Sequence, residues 1–284
     1  MSSNRQVVID ANNTSNCNSL QTNQMFNTSF TETDEPPIDT YFNKTRSLIL
    51  LINPAVFNEL TANLVVLGYI SVFESYMREI IRRTILIDDQ ARKTCEAMPL
   101  SYGAAISHTA NLLPEAILED VSFAGKNNVK DSLKNFLGIK GHLPNSLSEA
   151  LNEFAKVCEI RHCLVHRFGK LGTKNAIKLG LSDHSPCIEK PLRLTYALLQ
   201  EIQLTCNVVV KEINNYIFNS LLQRLILDDN KKITSTIWHW NYNQDRRIFV
   251  PYYKTFVSTL EVPPNHVNVL DAYNIYRNFY RSLT

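Results

Sequence analysis

Two stretches of this sequence keep an apolar residue every three or four positions for turn after turn. In 57–85 the stripe is Val66, Ile70, Phe73, Met77 and Ile80; in 191–227 it is Leu194, Leu198, Ile202, Val209, Ile213, Ile217 and Leu221. That spacing puts the apolar side chains on one face of a helix, whereas on a strand it would scatter them over both faces. Helices of this length bury their stripes most readily against other helices, so the expected class is mainly α, a helical bundle. With 284 residues, 44% of them hydrophobic, the chain can build one large domain or two modest ones.

Around these helices the texture varies. Residues 1–40 read as a polar arm, because Asn, Ser and Thr fill 17 of the first 35 positions and leave little to bury. Leu48, Ile49, Leu51 and Ile52 predict a short helix from about Thr45, stopped by Pro54. Residues 99–142 read as shorter helices broken by Pro114, Gly125, Gly138 and Gly141. A further helix is predicted over 147–168, opened by the capping-box pattern Ser146-Leu-Ser-Glu149 and closed at Gly169. A Gly- and Lys-rich loop follows over 169–190, and Pro191 fits the first position of the long helix to 227.

Beyond that helix, ITSTIWHWNY (233–242) alternates and RIFVPYY (247–253) follows a polar NQDR, the pattern of a β-hairpin. A last helix is expected over about 266–283, carrying Leu270, Tyr273, Tyr276 and Tyr280. The expected organisation is an arm at 1–40, a helical domain at 41–228, and a small α+β C-terminal module of hairpin plus helix at 229–284.

Composition removes several function classes. The formal net charge of +2 creates no overall field that would draw a nucleic acid, so any such site must come from local clustering. Cysteines at 17, 95, 158, 163, 187 and 206 form no CxxC pair, which argues against a disulfide framework. MSSNRQVVID has no apolar signal-peptide core, and the apolar run from Leu64 to Phe73 is too short to span a bilayer. The expectation is a soluble cytoplasmic protein with no membrane partner.

One residue breaks the packing pattern. The seam of the helix over 147–168 runs Leu147, Leu151, Phe154, Cys158, Arg161, Val165, Phe168, apolar at every member except Arg161. A guanidinium held in a seam without an anion costs several kcal/mol, so Arg161 calls for a carboxylate such as Glu74, a carbonyl cluster, or a ligand phosphate. Phosphate suits the planar fork well, because two parallel hydrogen bonds can form. His162 and His166, four apart, share a neighbouring face. Arg161 and His166 lie about 140° apart around the helix, near enough for a long side chain to converge on the imidazole. A histidine beside an arginine protonates less readily, which leaves a neutral imidazole available as a base.

The stretch Arg161-His162-Cys163-Leu164-Val165-His166 resembles the R-x4–6-H motif of the HEPN superfamily, including a polar residue directly after the arginine. The early helix NLVVLGYISVFESYMREIIRR is similar to the family's long acidic-residue helix, with Glu74 as the acid. The likeness is nearest to the RiboL-PSP and MAE-type groups and covers about residues 45–228. It implies a metal-independent endoribonuclease that needs no cofactor. The ribose 2′-hydroxyl attacks the adjacent phosphorus, leaving a 2′,3′-cyclic phosphate and a 5′-hydroxyl. The resemblance makes His166 the proton-transfer group, Arg161 the phosphate holder, His162 an orienting or leaving-group residue, and Glu74 a supporting one. It further implies a homodimer with two facing motifs, a toxin or antiviral-defence role, tRNA or mRNA as substrate, and an antitoxin or nucleotidyltransferase partner.

Other readings stay open on the residues alone. Arg167, Lys170, Lys174 and Lys178 put four cations in twelve residues, with no acid between 160 and 182, which fits an RNA backbone or a solvated loop equally. Trp238, Trp240, Tyr242, Arg246, Arg247, Tyr252, Tyr253 and Lys254 could stack bases, or form the core of the hairpin. Cys158, His162 and His166 at i, i+4 and i+8 could face a metal, and Cys163 with His166 could form a nucleophilic dyad. A non-catalytic HEPN-fold protein that binds a protein or RNA partner in a toxin–antitoxin or defence operon is the alternative function.

Overall fold

The computed structural model describes residues 11, 12, 15, 17–227, 237–261 and 267–282. By contacts the chain divides into two units, 1–34 and 35–284. The first carries one 3-10 turn, Thr22–Met25, followed by Asn27, whose side chain accepts from the Ser29 N–H at 3.0 Å.

The second unit is helical. It contains α1 (Pro37–Ile49), α2 (Glu59–Ile87), α3 (Asp89–Cys95), α4 (Tyr102–Ser107), α5 (Leu113–Ala116), α6 (Lys126–Leu137), α7 (Asn145–Arg167), α8 (Thr173–His184), α9 (Tyr196–Arg224), α10 (Tyr242–Phe256) and α11 (Val269–Arg281). Four of them make the bundle. α1 runs back along α2, with Tyr41 against Tyr76 and Leu48 against Gly68. A Cβ on Gly68 would meet Leu48 at 2.8 Å, so a glycine there lets the two helices close up. α2 and α9 run in the same direction, since Phe57 meets Tyr196 edge-to-face at one end and Tyr76 donates to Asn214 at the other. α7 is antiparallel to α9: Ser146 bonds Glu212 at one end, and the Leu192 N–H bonds Gly169 O at the other.

α2 forms because Asn58 caps it, accepting the Thr61 N–H at 2.9 Å, and because Val66, Tyr69, Ile70, Phe73, Met77 and Ile80 then fall on one buried face. By length and composition this 29-residue helix could cross a membrane, contrary to the expectation drawn from the run Leu64 to Phe73. Its apolar face is here the centre of the bundle.

Several expectations are corrected. α1 begins at Pro37, inside the stretch assigned to the arm, because Ile38, Tyr41 and Thr45 bury and the Asp39 carboxylate holds the Thr259 N–H at 2.8 Å. The stretch expected as a loop over 169–190 contains α8. Pro191 lies outside α9: it pairs with Lys170 in an isolated bridge, and Thr195 caps the helix instead by accepting the Leu198 N–H. The capping box does not form, since Pro144 precedes α7 with no side-chain cap and the Ser146 hydroxyl goes to Glu212.

The C-terminal β-hairpin is also overturned for the described residues, which contain no strand. Residues 233–236 of its first arm lie outside them, and RIFVPYY belongs to α10. The reason is that Phe249, Tyr252 and Phe256 also satisfy a helical stripe, and Asn241 caps that helix. α10 packs on α1, α2 and α9, and α11 packs on α10. Of the aromatics that could have stacked bases, Trp238 and Tyr252 are buried there beside Phe249, Tyr273 and Tyr276, while Trp240, Tyr242 and Tyr253 pack part-buried against that core.

Candidate active site

α7 ends where two left-handed residues turn the chain. Phe168 has φ 51°, Gly169 has φ 89°, and the Gly169 N–H closes on Cys163 O at 3.0 Å. This fixes the last turn: Cys163 and Leu164 point into the protein while His162, Val165 and His166 face outward. The His162 and His166 rings meet with centroids 4.4 Å apart, so the shared face is real.

Arg161 sits between these faces, part-buried. Among the described residues no hydrogen bond or ion pair reaches its guanidinium. Glu74 lies close enough to be felt at the same thiol. Burial pushes Cys158 up to about 12, the Glu159 and Glu74 charges add to this, and Arg161 opposes it. Yet Glu74 is engaged elsewhere, accepting from Ser122 Oγ at 3.2 Å and the Phe123 N–H at 3.1 Å. One turn on, Arg78 donates to the carbonyl of Val121 at 2.9 Å, so the two charges of α2 clamp the segment leading to α6. The expected orienting bond from Glu74 to Arg161 or His166 is not made.

The four cations divide. Arg167 is paired with Glu189, at 2.6 Å to Oε2, and Lys178 with Glu159 at 2.7 Å. Lys170 and Lys174 are exposed and have no partner among the described residues. The two acids lie just outside the acid-free window of 160–182, which is why composition alone overstated the field. Glu159 was missed as a site-supporting residue. Besides Lys178 it accepts from the buried Asn175 side chain at 2.8 Å, and so pins α8 to the turn of α7 that precedes the motif. Its only signal in the sequence is its place next to the motif.

The rival chemistries find less. Among the described residues no group of three or more His, Cys, Asp and Glu is placed to hold a metal ion. Cys158 and Cys163 are buried while both imidazoles face outward, so neither the metal trio nor the Cys163–His166 dyad is assembled. What the arrangement can do is bind an oxyanion at Arg161 and move protons through two adjacent imidazoles. The seam also surfaces here, with Val165 47% and Phe168 82% exposed. Leu60, Leu64 and Leu198, at the starts of α2 and α9, are exposed at the same end of the bundle. Comparison with protein-family models, curated proteins and solved structures finds no match to this chain.

Proposed function

We propose that this chain is a HEPN-type endoribonuclease, acting on RNA in the cytoplasm as a toxin or antiviral-defence effector. The observation that carries the reading is Arg161, a part-buried guanidinium on α7 with no anion of its own among the described residues, beside two touching imidazoles. In the proposed reaction Arg161 grips the scissile phosphate and stabilises the charge that develops on it. His166 takes the proton of the 2′-hydroxyl as that oxygen attacks phosphorus, and the 5′-oxygen leaves with a proton supplied by His162. The products are a 2′,3′-cyclic phosphate and a 5′-hydroxyl. Imidazole-mediated proton transfer of this kind contributes roughly 10²–10⁴-fold. Lys170 and Lys174, two cations after the motif with no partner among the described residues, would track the RNA backbone.

A second copy of the chain completes the proposal. Val165 and Phe168 continue the seam onto open surface, and a two-fold pairing there would cover them and bring two motifs together. The test is to incubate total RNA with wild type, Arg161→Ala and His166→Ala in the presence of a chelator, and to map the ends produced. Cyclic-phosphate ends from wild type alone are expected. Equal cleavage by all three proteins, or none by any, would sink the site. Light scattering on the same wild-type sample should return twice the chain mass, and a single chain mass for Phe168→Ser.

A further inference from the structure

At the other end of α9, about 30 Å from the motif by helical rise, a groove of about 660 Å³ opens between α9, α10 and α11. Its volume falls in the range of small-molecule sites. The floor is aromatic: Phe218 stacks on Phe256 with centroids 5.5 Å apart, and Phe249 meets Tyr276 at 5.7 Å. The Tyr276 hydroxyl donates to Leu222 O at 2.8 Å and ties α11 to α9 beneath the groove.

The two walls differ. On α11, Ile275 and Phe279 line the groove yet stay 63% and 59% exposed, a large apolar surface left open to water. On α9, Asn215, Asn219 and Gln223 stand at i, i+4 and i+8, a row of amides along one face. The Asn219 NH₂ donates to Asn215 O at 2.8 Å, which leaves its carbonyl to accept; the Asn215 and Gln223 amides have no protein partner among the described residues. The charged pair in the lining, Lys211 and Glu261, is closed on itself at 2.6 Å.

We propose that this groove binds a neutral, planar heteroaromatic ring with both donor and acceptor groups on its edge, the chemistry of a nucleobase. The part-exposed Phe218 and the exposed Phe279, backed by the buried floor, take the ring face, and the amide row reads the edge. An aliphatic ligand would leave the amides without partners, and an anionic one would find no unpaired cation in the described lining. A peptide helix about 10 Å across would fill the volume within about two turns, too little to be held. The base could belong to a free nucleoside or to an RNA strand. The inference does not depend on the nuclease reading.

Both tryptophans of the chain report on this corner, because Trp238 lies 5.3 Å from Tyr276 and 6.5 Å from Trp240. Tryptophan emission of the full chain is therefore titrated with the four ribonucleosides, their 5′-monophosphates, and an uncleavable 2′-O-methyl trinucleotide. A saturable change with at least one nucleoside is expected, no tighter for its monophosphate. Asn219→Leu with Gln223→Leu should weaken it by about tenfold or more, the loss of two hydrogen bonds. Phe279→Ala, at an exposed position, serves as a second variant, and circular dichroism melts check that both proteins remain folded. A response confined to the trinucleotide assigns the base to an RNA strand. No saturable response to any probe, or one unchanged in both variants, overturns the proposal.

Discussion

Two arginines, one near the end of α7 and one at the end of α9, meet opposite fates. Arg224 donates through Nε to Asp88 Oδ2 at 3.2 Å, through Nη2 to Asp88 Oδ1, and through Nη1 to Leu137 O at 2.5 Å. Asp88 in turn caps α3 by accepting the Ala91 N–H at 2.7 Å, and accepts the Tyr252 hydroxyl at 3.1 Å. One buried carboxylate thus joins α2, α3, α9 and α10, and the carbonyl of Leu137 adds the end of α6. Arg161 has none of this. A guanidinium carries five donors and cannot shed its charge, so the fold must satisfy it, expose it, or leave it for a ligand. Where the partners come from within, the residue is structural; where they are missing beside two imidazoles, a site is the better account.

The largest effect should come from breaking the satisfied corner. Arg224→Ala strands the buried Asp88 and should cost about 3–5 kcal/mol, read as a lower midpoint in urea. Arg161→Ala removes no hydrogen bond or ion pair found among the described residues, so its unfolding midpoint should stay within about 0.5 kcal/mol of wild type while RNA cleavage falls roughly 10²–10³-fold. A large stability loss at Arg161 would mean that its partner lies within the chain, and the contrast would collapse.

Glu159→Ala sharpens the picture at a smaller scale. Losing the acceptor of the buried Asn175 amide should cost about 1–2 kcal/mol, and faster hydrogen exchange should appear in α8 but not in α7. The last effect shows only at alkaline pH and concerns the thiols. Burial raises Cys158 and Cys206 from the ordinary 9.0 to about 12, so both stay protonated in the folded chain while unfolded thiols ionise. Their contribution is complete below pH 9 and lost as pH rises from there towards 12. Urea midpoints measured across that window should fall, and at pH 8 a thiol reagent should label the exposed Cys17 and Cys187 well before either buried thiol.

The parts legible in advance were those set by local period. The stripe of α2 read correctly, and those of α7 and α9 did so except at Val165, Phe168 and Leu198, which are exposed, and at Leu194, which precedes α9, because helical spacing was sustained over many turns. The C-terminal stretch misled because a short apolar run fits either period, and α10 was decided by the surface of α1, α2 and α9 that Phe249 and Phe256 could cover. α8 was hidden in a Gly- and Lys-rich stretch, since its anchor is Glu159 on another helix. Ser146 and Pro191 carried familiar capping signals that neighbouring elements claimed for other bonds.

By itself, then, the sequence determined a helical bundle and marked Arg161 as the charge that does not belong in its seam. Tertiary structure alone decided that Glu74 would be spent on the segment at 122–123, that Arg167 and Lys178 would be neutralised by Glu189 and Glu159, and that Arg161 would be left without a partner among the described residues. The physical reason is range: helical period acts between residues three and four apart, whereas an ion pair depends on which helix ends the fold brings together.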